Sequence, residues 1–102
     1  MNIILTCNGG MSTSLLAEKM KKEVISQNKD YSIKAVAVEK LKNEIENADV
    51  ILLGPQIQYE LKKVKQLVND KNIAVGVIQP MSYGLCDGKA VLKQAEDLYN
   101  GR

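Results

Sequence analysis

Cys7 stands where an apolar run, Ile3-Ile4-Leu5-Thr6, meets a loop of small residues, Asn8-Gly9-Gly10-Met11-Ser12-Thr13-Ser14, and an amphipathic helical pattern follows from Leu15. A strand, a glycine turn and a helix in immediate succession are the opening of a parallel α/β unit. In that arrangement the glycines let the backbone turn tightly, and the unpaired N–H groups of the helix N-terminus point back at the strand end. The result is a cradle for a tetrahedral oxyanion. The partial positive charge of the helix N-terminus also favours the thiolate, which makes Cys7 a candidate nucleophile.

The rest of the chain continues the alternation of strand and helix, without repeat, low-complexity segment or linker. The pattern predicts one α/β domain over residues 1–102, and 45% hydrophobic residues suffice for one core. Strand one is Asn2 to Thr6. Leu16, Met20 and Val24 recur at i, i+4, i+8 beside Ala17, the buried stripe of the first helix. Ser12 reads as its N-cap, with Met11 and Leu16 at the spacing of a hydrophobic staple. Strand two is Ser32 to Val38, and Leu41, Ile45 and Ala48 mark a short helix before strand three, Val50 to Leu53. Gly54-Pro55 opens a helix with Ile57, Leu61, Val64 and Val68 inward, and strand four is Ile73 to Ile78. An irregular segment from Gln79 to Cys86 leads to a last helix that Asp87 can cap, with Val91, Leu92, Ala95 and Leu98 buried. Right-handed crossovers should gather three loops on one sheet edge: Cys7 to Ser14, Gly54 to Gln58, and Gln79 to Cys86.

The chain has no histidine, which excludes within it His-ligated zinc, Ser-His-Asp triads and Cys-His dyads. No metal and no cofactor is expected, and backbone amides must activate Cys7. Cys86 reads as a small apolar residue, with a resolving thiol for Cys7 as the alternative. The charge of +2, from 14 basic and 12 acidic residues spread along the chain, gives no reason to expect nucleic acid as a partner. No apolar run approaches the roughly 20 residues of a membrane span, and Met1-Asn2-Ile3-Ile4-Leu5 lacks the basic flank of a signal peptide, so a cytoplasmic location is expected.

Small cysteine phosphatases of the low-molecular-weight type also place a Cys after the first parallel strand, followed by five residues and an Arg. The corresponding position here is Thr13. Arg offers a planar charged fork to a transferring phosphoryl group, whereas Thr offers one neutral hydroxyl, so poor phosphatase turnover is expected. Ser12, Thr13 and Ser14 exceed what capping needs, and phosphate-oxygen donation is a second use for them. A phosphatase, an arsenate-reductase-like enzyme using Cys86, and an interaction module without chemistry remain alternatives to a phosphoryl carrier.

Three blocks resemble one family over the whole chain: Cys7 with Gly10-Met11-Ser12-Thr13-Ser14-Leu15-Leu16, Asn47-Ala48-Asp49-Val50-Ile51-Leu52-Leu53-Gly54-Pro55-Gln56-Ile57, and Tyr83-Gly84 with Asp87-Gly88. The chain is similar to the B component (enzyme IIB) of the lactose/cellobiose class of the bacterial sugar phosphotransferase system. Asn8-Gly9 stands where Ser-Ala or a similar small pair is expected, a mild departure that bears on loop stiffness. The resemblance implies a three-layer fold, a four-stranded parallel sheet in the order 2-1-3-4 with helices on both faces, like that of the low-molecular-weight phosphatases. It further implies that Cys7 accepts a phosphoryl group from a phosphohistidine of the A component. Cys7 would pass it to a sugar of the cellobiose, chitobiose or lactose type held by the membrane C component. Asn8, Gly9, Gly10, Met11, Ser12, Thr13 and Ser14 would bind the phosphoryl group. Residues 54–58 and 79–84, with Tyr83 as an aromatic anchor or a core residue, are the expected rim.

Overall fold

The computed structural model describes residues 1–8 and 11–101, with Met11 and Ser12 described by backbone only. Four parallel strands, β1 (Asn2–Cys7), β2 (Ser32–Ala37), β3 (Val50–Leu53) and β4 (Ala74–Val77), form one sheet in the order β2-β1-β3-β4. Ile3 pairs with Ile33 on one side and Val50 on the other, and Val50 in turn with Ala74. The pleat sends alternate side chains to opposite faces. Ile3, Leu5, Val50 and Leu52 join one core, under α1 (Met11–Ser26) and the C-terminal helix, while Ile4, Ile51 and Leu53 join a second core with Leu41, Ile57, Val64 and Val68. β3 is therefore apolar throughout and β1 is apolar from Ile3 to Leu5, as expected for strands covered on both faces.

The helical segments depart from the sequence reading in ways that have physical causes. The first helix begins at Met11, so Ser12 is already helical and is not its N-cap, and the side chains of the proposed Met11 staple and cap lie outside the described residues. β1 runs one residue further than expected, through Cys7, while β2 stops at Ala37 and β4 spans Ala74–Val77. In place of the second helix there is a six-residue 3-10 segment, Val38–Asn43, that buries Leu41; Ile45 is buried just beyond it. So short a link has no room for an α-helix to repay its nucleation, and a tighter turn does the same burial. The helix after Gly54 is split into a 3-10 segment, Pro55–Glu60, and α2 (Leu61–Leu67), with a kink at Ile57 (φ −120, ψ 29) that turns this residue fully into the second core. The segment read as irregular contains a short helix, α3 (Pro80–Gly84), opened by Pro80 at its first turn, where the missing N–H costs nothing.

α3 ends with Cys86 in the left-handed region (φ 52). Asp87 N–H donates to Ser82 C=O at 2.9 Å and Cys86 N–H to Tyr83 C=O at 3.1 Å, the paired bonds of a Schellman ending. α4 (Gly88–Gly101) follows at once, and Ala90 N–H donates to Asp87 Oδ1 at 3.1 Å, so Asp87 caps it as the sequence suggested. Gln94 on α4 fixes the end of β4 by donating to Val77 C=O at 2.7 Å and accepting from Gln79 N–H at 3.1 Å.

Thr6 shares with Ile4 the face of β1 toward the second core, is fully buried, and its hydroxyl has no hydrogen-bond partner among the described residues. An unpaired buried hydroxyl costs more than it contributes, so Thr6→Val is expected to stabilise the protein by about 1 kcal/mol. A urea unfolding midpoint that moves downward would contradict this.

Lys29 and Tyr31 converge on Glu96. The Tyr31 hydroxyl donates to Glu96 Oε2 at 2.7 Å, Lys29 pairs with the same oxygen, and its Nζ lies 5.5 Å from the Tyr31 ring centroid. Burial pushes the Glu96 carboxyl up, but the hydrogen bonds from Lys29 and Tyr31 outweigh it and hold the group below its ordinary value of 4.5. A carboxyl depressed in the folded state contributes stability above its unfolded value, and this is lost as pH falls through the folded one. Wild type is expected to lose more stability than Glu96→Gln between about pH 5 and about pH 3. Parallel losses in urea titrations at the two pH values would remove this clamp from the account.

Candidate functional site

The chain enters the sheet at β1, crosses to β2 on one side, and returns past β1 to place β3 on the other. The order therefore reverses between β1 and β3, and the crevice beyond the C-terminal ends of those two strands is where open α/β sheets receive ligands. Cys7 is the last residue of β1, paired in register with Ala37, and is 4% exposed. Gly54 follows the end of β3, and its N–H donates to Thr6 C=O at 2.9 Å. The first turn of α1 starts four residues after Cys7. Cys7 thus ends its strand at the switch point, four residues before a helix begins, in the strand-then-helix succession read from the sequence.

The proposed phosphate-binding residues divide as follows. Asn8 is exposed in a bend directly after Cys7. Gly9 and Gly10 lie outside the described residues, as do the side chains of Met11 and Ser12, whose backbone opens α1. Thr13 is 1% exposed, whereas Ser14, one position on, is exposed to solvent. The helix therefore turns these two neighbouring hydroxyls in different directions, and that of Thr13 is held by the fold.

What holds it is Tyr83. The Tyr83 hydroxyl lies 3.4 Å from Thr13 Oγ1 and accepts a hydrogen bond from Gln56 Nε2 at 2.9 Å. One residue from each of the three expected loops meets at this oxygen. The Tyr83 ring is half-buried and packs against the first core, while Gln56 is exposed. Sequence reasoning placed Gln56 and Tyr83 on the right loops without finding their contact, because nothing local marks a partnership between residues so far apart in the chain. The one local cue is Gly54, where a Cβ would stand 2.7 Å from Gln56 Oε1.

Cys86 is half-buried against the first core, and no disulfide joins it to Cys7. Its left-handed backbone accounts for it as the ending of α3, and Asp87, the acidic residue next to the third loop, is engaged as the cap of α4. Around the same edge Leu15, Tyr59, Met81 and Leu85 are exposed large apolar side chains. Among the described residues no helix is long and apolar enough to cross a membrane.

Comparison with known proteins gives a concordant result. Residues 2–94 match the family described as PTS system, Lactose/Cellobiose specific IIB subunit. The chain is 41% identical over 96 residues to the oligo-beta-mannoside-specific EIIB component of Bacillus subtilis, covering 94% of this chain and 93% of that one. The solution structure of the cellobiose-specific phosphotransferase IIB component from Borrelia burgdorferi superposes with a TM-score of 0.81 at 35% identity, covering 99% of this chain and 93% of that one. The lactose-specific IIB domain from Streptococcus pneumoniae has the same fold, with a TM-score of 0.88 over 97% of both chains at 16% identity.

Proposed function

The chain belongs to the lactose/cellobiose-specific IIB subunits of the bacterial phosphotransferase system, and from that premise we propose that Cys7 is the residue that carries the phosphoryl group. The Cys7 thiolate attacks the phosphorus of a phosphohistidine on the A component in line. The S–P bond forms as the N–P bond breaks, and the imidazole leaves with its electron pair. In the second step a hydroxyl oxygen of the sugar on the membrane C component attacks the same phosphorus, the thiolate departs, and the hydroxyl proton is lost to a base on that side. The absence of histidine from this chain fits a donor that resides on the partner.

One observation carries the reading: a buried thiol ends the central strand at the switch point, four residues before α1 begins, and amide donors at a helix N-terminus need no counter-charge. Asn8 and the backbone of residues 9–14 hold the equatorial oxygens, and Thr13 adds a hydroxyl. The exposed apolar side chains Leu15, Tyr59, Met81 and Leu85 supply the rim on which the A and C components dock from the cytoplasmic side. The relatives above are named for oligo-beta-mannosides, cellobiose and lactose, and in this reading the sugar itself is held by the C component.

A phosphatase built on this frame would need an arginine where Thr13 stands and a free acid for the leaving group, and Asp87 is committed to capping. Phosphorylated wild type is therefore expected to survive in buffer and to discharge only when the C component and sugar are added. Rapid spontaneous hydrolysis, or tight binding of inorganic phosphate by the unmodified protein, would instead identify a phosphatase. Thr13→Arg is expected to tighten inorganic phosphate binding by about tenfold or more through a bidentate charged pair.

A further inference from the structure

An amide nitrogen can only donate, so the Tyr83 oxygen accepts from Gln56 Nε2. Between the Tyr83 and Thr13 hydroxyls, 3.4 Å apart, either oxygen can be the donor, and the sense in which Tyr83 donates continues the bond from Gln56. With the Thr13 oxygen receiving the Tyr83 hydrogen, the hydrogen of Thr13 is left to donate onward. Thr13 is almost fully buried in the first turn of α1, so its rotor is confined by packing as well as by this bond. Bonds aligned in this sense strengthen one another, and each makes the next hydroxyl a better donor.

We infer that Gln56, Tyr83 and Thr13 form a donor relay across the three loops of the site, which aims the Thr13 hydroxyl at an oxygen of the phosphoryl group on Cys7. Gln56 and Tyr83 are positioning residues, and the proposal rests on the reading of Cys7 as the phosphoryl acceptor. The relay supplies through polarised neutral donors part of what an arginine supplies in a phosphatase loop. A neutral donor stabilises the group in transit without retaining it as a fixed charge would.

Gly54 is the second observation. An added Cβ would stand 2.7 Å from Gln56 Oε1, 3.1 Å from its Cδ and 3.2 Å from its Nε2. All three atoms belong to the mobile end of one side chain, so Gly54→Ala would push the Gln56 amide off Tyr83 without obstructing backbone. The backbone of Gly54 (φ −60, ψ 145) suits alanine equally well. This substitution removes no polar group and touches neither Tyr83 nor Thr13, yet it is expected to open the relay at its first bond.

The test compares wild type with Tyr83→Phe, Gln56→Met, Gly54→Ala and the double variant Tyr83→Phe/Gln56→Met. Each is assayed for phosphorylation of Cys7 by the phosphorylated A component and for binding of inorganic phosphate. Each single variant is expected to lower the maximal rate by about five- to tenfold with an unchanged KM for the donor. The double variant should be no worse than Tyr83→Phe alone, because a relay already broken at Tyr83 has nothing left for Gln56 to do. Unchanged maximal rates, additive losses, or a higher KM alone would overturn the relay and leave Tyr83 as a latch or a docking contact. If the donor labels no residue of wild type, the carrier reading fails instead. Phosphate binding then decides the relay by itself: weaker binding in all the variants sustains it, and equal binding ends it.

Discussion

Cys7→Ser is expected to lower phosphoryl acceptance by more than about a thousandfold while leaving the fold intact, because a hydroxyl lacks both the acidity and the nucleophilicity of the thiol it replaces. The substitution exchanges sulfur for oxygen at a side chain that is 4% exposed at the end of the central strand. Its cost in stability is that of one buried hydroxyl, about 1 kcal/mol. Circular dichroism and a urea midpoint establish that the variant is folded, and a radiolabelled phosphoryl donor measures the loss. Undiminished labelling of a folded Cys7→Ser protein would assign the chemistry to another residue.

The largest effect on stability is expected at Gly88. A Cβ there would come within 2.8 to 2.9 Å of the backbone C and O of Lys19 and the backbone N of Met20. These atoms belong to the middle of α1 and cannot move aside as a side-chain tip does. Gly88→Ala should therefore force α4 away from α1 and cost about 3 kcal/mol, at the upper end of ordinary overpacking. Gly84→Ala is the matched control, since an added Cβ meets nothing within 4 Å there. Equal urea midpoints for the two variants would show that the α1–α4 contact tolerates an extra atom. Because α1 begins four residues after Cys7, Gly88→Ala should also weaken phosphoryl acceptance, a secondary effect that Gly84→Ala should lack.

Elements governed by periodicity were legible in the sequence. β1 and β3 are recognisable by the apolar runs Ile3-Ile4-Leu5 and Val50-Ile51-Leu52-Leu53, because a sheet covered on both faces imposes them, and Leu16, Met20 and Val24 stand out as a helical stripe. The position of Cys7 followed from the same reasoning. The strand order 2-1-3-4 came only with the family resemblance, since spacing alone does not say on which side of β1 each strand adds. The start of α1 was misjudged because Ser12, Thr13 and Ser14 are weak helix formers and read as caps, yet the fold continues the helix through them. The 3-10 segments at Val38–Asn43 and Pro55–Glu60 are too short to show a period. The Gln56–Tyr83–Thr13 contacts and the approach of Gly88 to α1 join distant stretches of chain through tertiary geometry, and no local pattern encodes them.

The role of Cys7 is tested most directly by incubating the protein with the phosphorylated A component and locating the transferred group by peptide mass spectrometry, with and without subsequent addition of the C component and its sugar. The expected result is a single phosphoryl group on the peptide bearing Cys7, stable in buffer and discharged to the sugar when the C component is present. A phosphoryl group on any other residue, or one that leaves Cys7 for water as fast as for sugar, would contradict the assignment of this chain as a cysteine phosphocarrier.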